Sequence, residues 1–145
     1  MNTTVIGLDI AKQIFHLIGL NTIGKQVEKK TLRRAKLLEY FANHSPCIIG
    51  IEGCSSSHHW ARELRKLGHE VKLLPAQYVK PYVRGNKNDY NDALAIAEAS
   101  RIPEMREVRT RTIEQQSIQA LHRLRRGAVA DRTRLCNQVK GFATK

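Results

Sequence analysis

Four acidic residues stand where carboxylates are costly to place or where their spacing brings them together. Asp9 lies in VIGLDIAK and Glu52 in IIGIEGC, each in or just after a short, dense apolar run. A carboxylate in such a setting needs a compensating partner. Asp89 and Asp92 lie in NKNDYNDALAIA, three residues apart, which sets them on one face of a helix. Carboxylates gathered in this way repel one another and become tolerable once cations bind. A pair of magnesium ions held by such a group stabilises the attacking and leaving oxygens of phosphodiester chemistry. The competing reading is a helix-capping Asp89, a solvated Asp92 and two isolated carboxylates at strand ends; the pattern alone leaves both open.

The remainder of the chain is basic. Its 145 residues carry 25 Lys+Arg against 13 Asp+Glu, a formal net charge of +12. That excess favours a polyanionic partner, nucleic acid first, over a basic surface kept for solubility. The loop Arg84-Gly85-Asn86-Lys87-Asn88 directly precedes the acidic pair. Gly85 lets the backbone approach a phosphate, and Arg84 and Lys87 can neutralise it; a solvated basic turn is the alternative. Tyr78, Tyr82 and Tyr90 flank this loop and can stack on bases or pack at the core rim. Cys47, Cys54 and Cys136 are odd in number and scattered, which points to reduced thiols in a cytoplasmic protein. Cys54 beside His58 and His59 lacks the second ligand cluster that structural zinc requires. Ser55, Ser56 and Ser57 read as a helix cap rather than a nucleophile. No apolar run approaches the roughly 20 residues of a membrane span, and MNTTVIGLD lacks the basic start of a signal peptide.

The elements that must position these residues follow from periodicity. TTVIGLDIA and QIFHLIGLN read as strands, with Phe15 and Leu17 sharing a face, and GKQVEKKTL as a more polar edge strand guarded by lysines. Leu37, Leu38 and Phe41 form a helical stripe between about Arg33 and His44. CIIGIEG reads as a central buried strand, SSSHHWARELRKLG as a helix closed by Gly68, and HEVKLLPA as the next strand. PAQYVKPYVRGNKN is a loop with one helical turn, broken by Pro75, Pro81 and Gly85. DYNDALAIAEASRI is a helix ended by Pro103, and MREVRTRT an extended connector. From Ile113 onward a long basic helix places Leu121, Leu124, Ala128, Leu135 and Phe142 on a heptad-like walk that needs a covering partner. The order predicts an α/β fold, a mixed five-stranded sheet flanked by helices, followed by a long C-terminal helix.

VIGLDIAK, IGIEGCSSSHHWARELRKLGHEV and LPAQYVKPYVRGNKNDYNDALAIAEA together resemble the N-terminal domain of the DEDD-type insertion-sequence transposases. These are relatives of the RuvC-like resolvases and are understood as bridge-RNA-guided recombinases. The resemblance covers nearly the whole chain and continues into EQQSIQALHRLRRGAVADRTRLCNQVKGF. It implies an RNase H-like (RuvC-like) catalytic domain over residues 1–104 and the start of a coiled-coil-like dimerisation segment over 105–145. It assigns the Asp, Glu, Asp, Asp set to Asp9, Glu52, Asp89 and Asp92, as catalytic residues and ligands of Mg2+, with Mn2+ as an alternative. Lys12, Arg84, Lys87, Arg123 and Arg126 are the expected nucleic-acid contacts. The implied partners are transposon-end and target DNA, a guide RNA and a second copy of the chain through the last helix, with no membrane. Family members run on into a second domain with a nucleophilic serine. This chain stops at Lys145, so the expectation is a DNA transposase truncated before that domain. Alternatives are a stand-alone RuvC-like nuclease and a non-catalytic nucleic-acid-binding remnant of a transposase.

Overall fold

The computed structural model describes residues 3–85 and 88–144. Five strands form one mixed sheet: β1 (Val5–Ile10), β2 (Ile14–Leu20), β3 (Gln26–Arg33), β4 (Ile48–Glu52) and β5 (Glu70–Leu74). Their spatial order is β3-β2-β1-β4-β5. The first three are antiparallel neighbours, and β4 and β5 join them in parallel through helical crossovers. The short reversals after β1 and β2 permit antiparallel pairing, whereas parallel strands need a longer connection. β1 holds the middle of the sheet and β4, expected to be central, stands one place beside it with a neighbour on each side.

The helices are α1 (Leu37–Ala42), entered through a 3-10 turn, α2 (Ser57–Lys66), α3 (Ala76–Val79), α4 (Asp89–Ser100) and α5 (Ile113–Ala143). One sheet face presents Ile6, Leu8, Phe15, Leu17, Ile49 and Ile51 to a core completed by Leu37 and Phe41 of α1 and Trp60, Ala61 and Leu64 of α2. The Phe15 and Trp60 rings meet edge to face at 5.3 Å, a favoured aromatic geometry.

The opposite face is smoother, and that decides where α4 lies. Gly7 and Gly50 are register partners on β1 and β4. A Cβ on Gly7 would lie 2.0 Å from the carbonyl oxygen of Ala93, and one on Gly50 would lie 1.8 Å from Ser100 Oγ. Two side-chain-free positions under an alanine-rich stripe let helix and sheet backbones approach closely. Ala93 and Ala97 pack there with Ile18 and Leu20, while Ala95, Ile96 and Ala99 pack with Leu74 and Val79.

The serine-rich start of α2 is not the expected cap. Ser56 occupies the N-cap position without a side-chain cap bond. Ser57 is instead buried, its Oγ donating to the Cys54 carbonyl at 2.8 Å and accepting from the Cys54 N–H at 3.1 Å. His58 is buried, while His59 is exposed and lies edge-on to Trp60. α2 enters with one side of its first turn against the sheet, so Ser57 and His58 are packed while Ser55 and His59 stay exposed.

The chain divides into two compact units, residues 1–110 and 111–145. Residues 105–110 stay with the sheet. Met105 packs on the Leu74–Ile96 cluster, the Val108 N–H donates to the Leu73 carbonyl at 2.7 Å, and Thr110 Oγ1 accepts from Arg65 at 2.6 Å. In the second unit α5 begins with a capping box formed by Thr112 and Gln115. None of its residues is buried, and Leu121, Leu124, Leu135 and Phe142 are all exposed. Among the described residues, no helix is long and apolar enough to cross a membrane.

Candidate metal centre

The carboxylates converge because of strand order. Asp9 is the fifth residue of β1 and Glu52 the last of β4. The parallel register Gly7↔Gly50 and Leu8↔Ile51 carries on to set them side by side at one end of the sheet. Counting by twos from Gly7 and Gly50, both point to the face that α4 covers. α4 begins there. Its N-cap is Asn88, whose side chain accepts from the Tyr90 N–H at 3.0 Å, and Asp89 and Asp92 occupy its first turn. Asp89 is therefore not the cap, so the capping alternative does not account for it. Carboxylates in a first turn are favoured by the helix dipole, yet here they also face two others.

The electrostatic cost is visible at Asp9. Its carboxyl is pushed up from 3.8 to about 6, first by burial, then by the charges of Asp92 and Asp89, with Glu52 adding a smaller push and His16 opposing. Glu52 is likewise raised, by burial and then by Asp92. Asp92 thus acts on both Asp9 and Glu52, and Asp89 on Asp9. Glu52 and Asp92 also line an open cleft of about 270 Å³ with Gln77, Val79 and Lys80.

His16 belongs to the same place and was not singled out from the sequence. It is the antiparallel register partner of Asp9. Its Nδ1 lies 3.6 Å from Asp89 Oδ2 and is buried without a hydrogen-bond partner among the described residues. Among the described residues, Asp9, His16 and Asp89 offer ligand atoms all within 4.8 Å of one another. An orphaned imidazole nitrogen beside mutually repelling carboxylates is a donor set suited to a divalent cation. The signal that could have found His16 is the pairing of VIGLDI with IFHLIGL across a three-residue turn, which sets His16 opposite Asp9.

The expected nucleic-acid residues are dispersed. Lys12 is exposed in the turn between β1 and β2, three residues from Asp9. Arg84 is exposed, with its guanidinium 3.5 Å from Glu98, so part of its charge is already answered. Gly85 has φ +77°, a left-handed conformation that favours glycine. Lys87 lies outside the described residues. Arg123 and Arg126 lie exposed on α5, in the second unit. Tyr82 and Tyr90 are rim-packing residues rather than free platforms: Tyr82 packs on the Leu74–Ile96 cluster, and the Tyr90 hydroxyl meets Thr31 Oγ1 at 2.5 Å.

The sheet order, its three antiparallel and two parallel strands and the helix covering one end define an RNase H-like (RuvC-like) fold. Thermus thermophilus RuvC, solved in complex with a Holliday junction substrate, superposes with a TM-score of 0.55. The match covers 74% of this chain and all of that one at 13% identity. A second T. thermophilus RuvC structure gives a TM-score of 0.53 over 72% of this chain and 99% of that one, at 15% identity.

Within that class the sequence is more specific. Residues 6–144 match the model of the IS110-type DEDD family, described as a transposase. The chain belongs to this family. It is 48% identical over 142 residues to a probable family 20 transposase of Pseudomonas aeruginosa, covering 98% of this chain and 42% of that protein. It is 41% identical to the transposase for insertion sequence element IS1328 of Yersinia enterocolitica, covering 97% and 42%. The transposase for insertion sequence element IS1111A of Coxiella burnetii is 40% identical, with 95% and 38% covered. The chain thus spans about two fifths of the length of these curated relatives.

Proposed function

We propose that this chain is the metal-binding catalytic part of an insertion-sequence transposase that cleaves and recombines DNA. The observation that carries the reading is the position of Asp9, half-buried, with its carboxyl raised first by burial and then by the neighbouring carboxylates. A bound cation would offset the mutual repulsion of such a cluster. Asp9, Glu52, Asp89 and Asp92 would hold Mg2+ or Mn2+, and the cations would supply charge stabilisation to a phosphodiester in transfer. The protein's own part is to keep these groups on a rigid sheet end and a close-packed helix start, so that little reorganisation is needed. Residues 1–104 are the proposed catalytic domain and 105–145 the start of a dimerisation segment.

DNA is the proposed substrate and a guide RNA the proposed partner. Lys12, Arg84, Lys87, Arg123 and Arg126 would contact phosphates, and a chain of net charge +12 supplies the field that draws them in. The exposed apolar seam of α5 would pair with a second copy.

The test is calorimetric titration of Mn2+ into the wild-type chain, Asp9→Asn and Asp92→Asn. Loss of one anionic ligand should weaken binding at least tenfold. Unchanged affinity in both variants defeats the metal-centre reading. Nucleic-acid affinity should fall steeply with salt, and Arg84→Ala with Lys87→Ala should reduce the slope of log affinity against log salt by about 1 to 2. A salt-insensitive binding constant contradicts the phosphate-contact reading.

A further inference from the structure

We propose that His16 is a nitrogen ligand, through Nδ1, of one divalent cation shared with Asp9 and Asp89, and that it biases this position toward Mn2+ and related transition ions over Mg2+. The proposal rests on the acidic-centre reading above and adds a residue to it.

Three observations carry it. The first is register: antiparallel pairing sets Asp9 and His16 directly opposite, so both side chains leave the sheet on the face beneath α4. The second is spacing. His16 Nδ1 is 3.6 Å from Asp89 Oδ2, and the ligand atoms of all three residues lie within 4.8 Å of one another. Two ligands each about 2.1 Å from a common ion lie roughly 3 to 4 Å apart, so this spacing needs only a small inward movement. The third is that Nδ1 is buried with no hydrogen-bond partner among the described residues. A distance of 3.6 Å is too long for a hydrogen bond to Asp89, and a buried nitrogen left in that state has a cost that a bound cation removes.

The ring is held for this task. Its edge meets the Tyr90 ring at 4.9 Å. Tyr90 is in turn fixed by its hydroxyl contact with Thr31, the register partner of His16 on β3, and by Lys29 Nζ 4.1 Å from its ring centre. Tyr90 is therefore a positioning residue for His16. On the other side of Asp9, Glu52 and Asp92 face the cleft that also contains Gln77 and Lys80. The centre is accordingly unequal: one half offers two carboxylates and an imidazole, the other carboxylates alone. Magnesium prefers oxygen ligands, whereas imidazole suits the first-row transition ions, so the His16 half is the one expected to discriminate.

The experiment uses the full chain with Mn2+ as the probe. Pulsed electron paramagnetic resonance of the bound Mn2+ should show nitrogen coupling of the imidazole type. The coupling should vanish in His16→Ala and His16→Gln, with Mn2+ affinity falling on the order of tenfold and Mg2+ affinity changing much less. Circular dichroism of His16→Gln checks that the hairpin survives, and the wild-type spectrum carries the test even if a variant does not fold. Bound Mn2+ without nitrogen coupling, or coupling that persists in both variants, overturns the assignment of His16 while leaving the carboxylate centre intact. Absence of any Mn2+ binding by the wild-type chain removes the underlying reading together with this one.

Discussion

Replacing Asp9 with Asn should stabilise the metal-free protein, and the effect should depend on pH in a defined direction. The Asp9 carboxyl rises from 3.8 to about 6 in the folded chain. Between those values the folded state binds more protons than the unfolded state, so stability falls as pH rises through this window. The cost is absent below pH 3.8 and fully present above about pH 6. A shift of about 2 units corresponds to about 3 kcal/mol at 1.36 kcal/mol per unit, before solvent screening. Asp9 is only half-buried, which brings the expected penalty to about 1–2 kcal/mol. Asn keeps the shape and discards the charge. With chelator present at pH 7.5, urea unfolding should show Asp9→Asn more stable than wild type by that amount, roughly 4 °C in Tm per kcal/mol. Near pH 4 the two curves should meet. Adding Mn2+ should shrink that difference by about 1.3 kcal/mol, because at a hundredfold excess over its Kd the intact site gains about 2.7 kcal/mol and a site weakened tenfold only about 1.4. If the variant is no more stable at pH 7.5, or if the difference does not change with pH, Asp9 is not confined among like charges and the reasoning fails.

Gly7→Ala should cost about 2–3 kcal/mol in urea unfolding, because the new Cβ would meet backbone atoms of α4 rather than a movable side-chain end; an unchanged midpoint would show that α4 is not seated on that glycine. Cys47 is buried and its thiol is pushed up to about 12, chiefly by burial, so a disulfide reagent at pH 8 should modify Cys54 and Cys136 readily and reach Cys47 only in denaturant. Three rapidly reacting thiols in the native protein would contradict this. Truncation after residue 112 removes α5 and should leave a monomer with the circular dichroism of the sheet unit, whereas the intact chain should dimerise weakly. Light scattering that finds the intact chain monomeric at high concentration would mean the α5 seam does not recruit a second copy.

Much of this was decided locally and is therefore legible along the chain. The apolar runs around Asp9 and Glu52 are strands because β-branched residues and short flanking turns leave them little else. The three-residue spacing of Asp89 and Asp92 places them on one helical face wherever that helix lies. α5 is long because nothing between Ile113 and Ala143 breaks it and Thr112 caps it. What the tertiary structure decided is adjacency. Nothing local states that β1 pairs in parallel with β4, yet that pairing alone sets Asp9 beside Glu52. The close seating of α4 depends on Gly7 and Gly50 meeting across two strands, and neither glycine announces it in isolation. Ser57 and His58 follow the pattern of a solvated helix start, and only the packing of α2 against the sheet buries them. His16 lies between these cases: an ordinary residue within an apolar strand, it meets the acidic end because the three-residue turn after β1 sets it opposite Asp9 in antiparallel register. Periodicity is a property of neighbouring residues and can be read from them. Register and strand order are set by contacts between distant segments, which only the folded chain brings into existence.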